Sequence, residues 1–310
     1  MDFTFLGTGA GMPAKERNVT SLAIGFPEYD GDLWLFDCGE GTQRQILYTA
    51  VRLTKLTVIF VTHLHGDHLF GLPGILGSRS FQGAENLLTL IGPVGLKEYV
   101  ETSLRLSGTH LHYPIAVKEI GQPGLVYEND HFQVEADELD HGIQSFGYRI
   151  TERDLPGELL VDKLRNNGVE PGPIYGDFKL KEFVNLPDGR QLESADFLSE
   201  KKKGRRIAII GDTRPCAAAV RLADHADFLV HESTFRSDAA TLANAYHHST
   251  SAQAATVAKK AHAQKLILTH LSSRYQRTDQ QALLTEARKV FPASYLASDF
   301  SIYHLMRPHR

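Results

Sequence analysis

Thr62-His63-Leu64-His65-Gly66-Asp67-His68 is the stretch on which both the fold and the chemistry of this 310-residue chain depend. It has the form H-x-H-x-D-H. It follows the apolar run Leu56-Thr57-Val58-Ile59-Phe60-Val61, which has the length and β-branched content of a buried strand. His63 and His65, two residues apart, point to one side and suit one metal ion. Asp67 and His68 can open the next helix and project toward a second ion.

Four residues do not close two coordination shells, so the remaining ligands must come from elsewhere. Ile207-Ala208-Ile209-Ile210 runs through Gly211 into Asp212, and Leu266-Ile267-Leu268-Thr269 runs into His270. His141 follows the strand expected over 132–135. One site is then His63, His65, His141 and Asp212; the other is Asp67, His68, Asp212 and His270. Asp212 bridges, because each of its two oxygens can hold an ion. Reactive groups in loops at the ends of buried strands sit on a rigid platform. The strands at 57–62, 206–211 and 265–269 are apolar on both faces, which predicts sheets covered on each side. Further strands are expected at 2–6, 21–26, 33–37, 87–92, 227–231 and 300–304. Helices are expected at 42–52, 95–106, 216–223, 251–263 and 279–290, which makes this an α/β chain.

With 42% hydrophobic and 23% charged residues, the chain is of globular type and long enough to bury its own core. Its two cysteines, Cys38 and Cys216, form no CxxC pair and no disulfide framework, which points to a reducing compartment, the cytoplasm. Met1-Asp2-Phe3-Thr4-Phe5-Leu6 has no basic and apolar leader pattern, and the longest apolar runs are strand-length. Neither secretion nor a membrane partner is expected. A net charge of −4 counts mildly against a nucleic-acid partner. Residues 151–204 differ from the rest. Asn166-Asn167-Gly168, Pro171-Gly172-Pro173 and Pro187-Asp188-Gly189 are turn signals, apolar residues are scattered, and acidic residues nearly match basic ones. The stretch reads as an arm inserted in a single domain over 1–310, not as a second domain.

The H-x-H-x-D-H run, followed by His141, Asp212 and His270 in that order, resembles the metal motifs of the metallo-β-lactamase superfamily. The resemblance implies an αββα four-layer sandwich, two β-sheets packed together with helices outside, here with a protruding arm. Other segments are similar to the tRNase Z family, which trims tRNA 3′ ends. Pro13-Ala14-Lys15-Glu16-Arg17-Asn18 resembles its PxKxRN loop, which implies substrate contacts by Pro13, Lys15, Arg17 and Asn18. Lys15 and Arg17 are of the type that meets phosphate. His231-Glu232-Ser233-Thr234 resembles its HEAT motif with serine for alanine, and His248-Ser249-Thr250 its HST loop. His247 stands beside His248, and the motif alignment favours His248. Pro171-Gly172-Pro173-Ile174-Tyr175-Gly176 resembles the tip of the family's exosite, a flexible arm that grips tRNA; Pro171, Gly172 and Pro173 are its implied contacts. In Phe36-Asp37-Cys38-Gly39-Glu40-Gly41-Thr42-Gln43, also similar to a family segment, Asp37 is implied to support the ligands.

The resemblance implies an endoribonuclease that removes the 3′ trailer from precursor tRNA. Two zinc ions per subunit, or other divalent ions, would activate a water. Asp67 would hold and deprotonate it, and His248, oriented by Glu232, would protonate the departing 3′-oxygen. The tRNA would keep a 3′-hydroxyl and the trailer a 5′-phosphate. A homodimer is implied as well, in which one subunit's arm presents tRNA to the other's site. The alternative is a small-molecule phosphodiesterase or arylsulfatase-like hydrolase of the same fold, which needs the metals but not residues 151–204.

Overall fold

Strands that are apolar on both faces need a covering layer on each side, and the fold supplies it. The computed structural model describes residues 1–307 and contains two seven-stranded mixed sheets. The first runs in the order Ile302–His304, Asp2–Gly7, Ser21–Phe26, Asp32–Phe36, Leu56–Phe60, Leu88–Pro93, Ile115–Ile120. The second runs Ser294–Leu296, Lys265–Thr269, Phe228–Glu232, Arg206–Ile210, Phe146–Glu152, Phe132–Glu138, Gly124–Glu128. Aromatic side chains join the two inner faces: Phe3 meets Phe228 at 5.1 Å between centroids, Phe60 meets Tyr148 at 5.1 Å, and Trp34 meets Tyr127 at 5.3 Å. Burying a side chain such as Phe60 completely is worth about 1.5–3 kcal/mol.

Helices cover both outer faces, which gives the αββα order. Over the first sheet, Leu72, Ile75 and Leu76 of the helix Leu72–Phe81 pack with Leu35, Ile59 and Leu90. Over the second, Ala218, Ala219, Ala254, Ala255 and Ala258 form a bed of small side chains that lets helices Ala217–Leu222 and Ser251–Lys260 lie close to Leu229 and Leu266. Thr250 caps the second of these helices in a reciprocal capping box with Gln253.

Parallel pairing runs from Asp32–Phe36 to Ile115–Ile120 in one sheet and from Arg206–Ile210 to Ser294–Leu296 in the other. The carboxyl ends of such strands are where open α/β sheets place ligands. Gly211 marks the approach of the two sheets there: a Cβ on it would stand 2.7 Å from that of Thr62. A parallel bridge between Gly9–Ala10 and Leu271–Ser272 draws the segment before Met12 to the same edge.

Residues 129–132 and 151–205 form a separate compact unit. It holds helices Val161–Asn166 and Ile174–Leu180 and the hairpin of Phe183–Asn185 with Gln191–Glu193. Leu164, Val169, Phe178, Val184, Leu186 and Phe197 make a core of its own. The apolar residues that look scattered along the chain therefore converge in space. Glu152 and Arg205, both fully buried within this unit, pair through Oε1 and Nη2 at 2.7 Å. The helix expected over 42–52 is only Thr42–Ile46. The strands Ile115–Ile120, Gly124–Glu128, Phe146–Glu152 and Ser294–Leu296 were not anticipated. No helix among the described residues is long and apolar enough to cross a membrane.

Candidate metal centre

Three segments that end parallel strands converge with the H-x-H-x-D-H turn, which itself ends a fourth. His63 follows Leu56–Phe60, Asp212 follows Arg206–Ile210, Glu232 closes Phe228–Glu232, and His270 follows Lys265–Thr269. His141 joins them from the turn after Phe132–Glu138. Donor atoms of His63, His65 and His141 lie within 4.8 Å of one another, and so do those of Asp67, His68, Asp212 and His270. Asp212 stands between the groups: Oδ1 is 3.5 Å from His68 Nε2, and Oδ2 is 3.3 Å from His270 Nε2 and 3.8 Å from His63 Nε2. Asp67 Oδ2 is 3.3 Å from His270 Nε2 and accepts the Gly11 amide at 2.7 Å.

Hydrogen bonds assign the tautomers. A carboxylate and a carbonyl only accept, so His68 Nδ1 donates to Asp37 at 2.8 Å and His141 Nδ1 donates to His247 O at 3.0 Å. Thr234 Oγ1 gives its proton to Glu232 Oε2 at 2.8 Å, so His270 Nδ1 donates to it at 2.9 Å. Thr62 spends its own proton on Asp37 and accepts from His63 Nδ1 at 3.0 Å. In neutral rings each Nε2 then carries a lone pair turned inward.

That arrangement calls for cations. His68 Nε2 and His270 Nε2 are 3.2 Å apart, as are His141 Nε2 and His65 Nδ1. Zinc at about 2.0–2.1 Å from nitrogen sets tetrahedral neighbours about 3.3–3.4 Å apart. Among the described residues His63 Nε2 is buried with no hydrogen-bond partner, an atom a metal would satisfy. Burial alone would lower His68, but Asp212 and Asp37 overcome it and draw a proton to the ring. Burial likewise would raise Asp212, yet His270 and His68 hold it well below the usual carboxylate range. Asp37 and His270 also adopt left-handed backbone at φ 58, a conformation that concentrates at functional sites.

Beside the ligand set lies a proton-transfer pair. His248 Nδ1 faces Glu232 Oε1 at 3.1 Å and Asp212 Oδ2 at 3.8 Å. Burial would lower its pKa, but Glu232 and Asp212 outweigh burial and push it up to about 9. Glu232 is held by the amides of Thr213, Ser249 and Thr234 at 3.2, 2.8 and 2.9 Å. His247 instead turns to Asp140, with Nδ1 at 3.2 Å. An open cavity is lined by His65, Asp67, His141, Asp212, His248 and His270.

A family model described as "Anti-Pycsar protein Apyc1" matches residues 1–138. The Ribonuclease Z of Listeria monocytogenes serotype 4a (strain HCC23) is 54% identical over 303 residues, which cover 98% of this chain and 99% of that protein. The chain belongs to the ribonuclease Z family. A crystal structure of human tRNase Z, short form, matches with TM-score 0.73 and 30% identity over 100% of both chains. A metallo-β-lactamase fold protein from Bacillus subtilis, 19% identical, matches over 97% of this chain and 98% of that one with TM-score 0.66, which shows the same fold. In a ribonuclease Z of this fold the histidine and aspartate groups mark a divalent-metal centre.

Against that family assignment, the residues expected from sequence separate into three groups. The seven expected ligands, with Glu232 and His248, come together. Pro13 and Lys15 are exposed beside this edge, and Pro171, Gly172 and Pro173 are exposed in the second unit. Arg17 and Asn18, expected to contact substrate, are bonded to the protein itself. Arg17 is 8% exposed. Its Nη1 donates to Thr8 Oγ1 at 2.5 Å and Ala297 O at 2.7 Å, and its Nη2 to Gln280 Oε1 at 2.9 Å. Asn18 donates its amide to Asp299 Oδ2 at 2.6 Å and its Nδ2 to Glu40 O at 2.8 Å. Both fasten the loop to the scaffold. Thr234 and Thr62 were missed as site residues. Their signal was adjacency to Glu232 and His63, but no spacing rule says which hydroxyl will orient an imidazole.

Proposed function

We propose that this chain is an endoribonuclease that removes the 3′ trailer from precursor tRNA, and that it works through two divalent cations, zinc in the simplest case. The observation that carries the reading is 54% identity over 98% of the chain with a Ribonuclease Z, in a chain whose seven candidate ligands meet at one sheet edge. His63, His65, His141 and Asp212 would hold one ion, and Asp67, His68, Asp212 and His270 the other. Bound there, the ions would supply charge neutralisation at the phosphoryl oxygens and an acidified water. Asp67 orients the attacking water and accepts its proton. His248 gives a proton to the departing 3′-oxygen, and Glu232 holds its ring and favours its charged form. The tRNA leaves with a 3′-hydroxyl and the trailer with a 5′-phosphate.

Lys15 and Pro13 border the cleavage edge, and Pro171, Gly172 and Pro173 form the tRNA-gripping tip of the inserted arm over 151–204. Exposure at both places supports this. The protein acts as a homodimer, supported by Leu47, Tyr48, Phe70 and Phe81, large apolar side chains left exposed on or beside helices over the first sheet. It works in the cytoplasm, in keeping with two free thiols. Incubating metal-loaded protein with precursor tRNA and mapping both ends tests the activity: a chelator must stop it. If a chromogenic phosphodiester is hydrolysed while precursor tRNA stays intact, the small-molecule alternative replaces this reading. Deleting 151–204 should abolish tRNA cleavage and spare the chromogenic substrate. Sedimentation as a monomer at working concentration would remove the homodimer.

A further inference from the structure

At the opposite end of the second sheet, where strands Phe228–Glu232 and Lys265–Thr269 begin, another set of metal-type donors meets. The helix Ala217–Leu222 ends in a turn carrying Asp224 and His225, and the helix Ser251–Lys260 ends in a turn carrying His262. All three residues are exposed. Two backbone bonds lash the turns together: His225 donates its amide to Ala261 O at 2.7 Å, and Gln264 donates to Ala226 O at 2.8 Å. The histidine rings stack with centroids 5.2 Å apart and planes 16° from parallel. A nitrogen from each ring and a carboxylate oxygen of Asp224 all lie within 4.8 Å of one another.

We propose that Asp224, His225 and His262 form a surface site for one borderline divalent ion, Zn2+ or Ni2+, separate from the catalytic centre. Two imidazoles and one carboxylate are the donor set such ions take, whereas Mg2+ and Ca2+ prefer oxygen alone. Coordination needs donors about 3.3–3.4 Å apart, a contraction that side-chain rotation at exposed positions can supply while the backbone stays fixed. Two neighbouring arginines make other bonds. Arg221 is committed to Asp137 Oδ2 at 2.7 Å, and Arg149 Nη1 bonds the carbonyls of Leu222 and Asp224 at 2.6 and 2.8 Å. Helix capping explains part of the arrangement. His225 and His262 sit at φ 49 and 53 just past their helices, positions where histidine is tolerated. Capping does not require a carboxylate and two imidazole nitrogens to share one small volume. An ion there would tie the two turns that feed adjacent parallel strands.

The test uses full-length protein whose catalytic centre is already loaded. The double variant His225→Asn/His262→Asn keeps a residue type that accepts left-handed backbone. ZnCl2 or NiCl2 is added, free metal is removed by gel filtration, and bound metal is counted by mass spectrometry. Wild type should retain one more ion per chain than the variant and melt higher with NiCl2, while both cleave substrate alike. Asp224→Ala, at an ordinary backbone position, should also lose saturable binding of the extra ion, which keeps the test informative if the double variant folds poorly. Equal ion counts in wild type and in every folded variant would overturn the proposal.

Discussion

Replacing Thr234 by valine keeps the shape of the side chain and deletes one hydroxyl. That oxygen now donates to Glu232 Oε2 at 2.8 Å and accepts from His270 Nδ1 at 2.9 Å. Glu232 keeps three amide donors, so it is the poorer candidate for damage. His270 is 2% exposed, and among the described residues Thr234 Oγ1 is the partner that holds its Nδ1. Leaving a buried donor unpaired costs about 1–3 kcal/mol. If that cost falls on the metal-binding orientation, it weakens the ion by about 10–100-fold, in line with the loss of other groups that orient ligating histidines. The assay is cleavage of precursor tRNA against free metal. Thr234→Val should raise the half-saturating metal concentration by that factor and recover most of its turnover at saturation. Thr234→Ser, which retains the hydroxyl, should stay near wild type. An unchanged metal midpoint in Thr234→Val would refute the orienting role. Equal damage in both variants would assign the effect to packing.

His65→Ala should lose metal and cleavage together, whereas His248→Ala should keep its metal content and lose turnover by about 10²–10⁴-fold; equal metal loss in both would mean the two roles are misassigned. Glu152→Gln removes the carboxylate charge that meets Arg205 at 2.7 Å, which should destabilise the second unit by about 3–5 kcal/mol, read as faster hydrogen exchange across 151–205. Lys15→Ala should raise KM for precursor tRNA and reduce the salt slope by about 1, while Arg17→Lys should lower activity through a loosened loop with the salt slope unchanged. Burial pushes the Cys38 thiol far above its ordinary value; because only the thiolate reacts, Cys38 should resist alkylation at pH 8 in the native protein and react on unfolding.

How much was legible depended on whether a signal was local. The strands Ser21–Phe26 and Lys265–Thr269 agree with expectation residue for residue, because a short run of apolar, β-rich residues is a local pattern. The helix from Thr42 was overextended because Leu47 and Tyr48 continue the apolar rhythm. Thr49 Oγ1 instead donates to Ile46 O at 2.8 Å and accepts from Val51 N at 3.2 Å, and these bonds replace the next helical turn. The second unit's core was invisible for a different reason. Its helices span six and seven residues, too few for a 3.6-residue period to declare itself, and its core residues become neighbours only after folding.

Arg17 sets the limit of motif reading at the site itself. A basic residue between Lys15 and Asn18, in a loop beside metal ligands, has the type and place of a phosphate contact. Its guanidinium nevertheless points inward, to Thr8, Ala297 and Gln280, and burial lowers its pKa despite Asp299 and Glu16 nearby. The same loop brings the Gly11 amide to Asp67 Oδ2 at 2.7 Å. A residue turned away from the cavity can therefore still govern the Asp67 carboxylate, by fixing the loop that supplies its hydrogen bond. The matched variants separate these routes. An electrostatic contact acts on substrate binding and its salt dependence, as expected for Lys15. A fastening contact acts on turnover, and at Arg17 lysine cannot replace it, because one ammonium cannot span the three acceptors that the guanidinium holds.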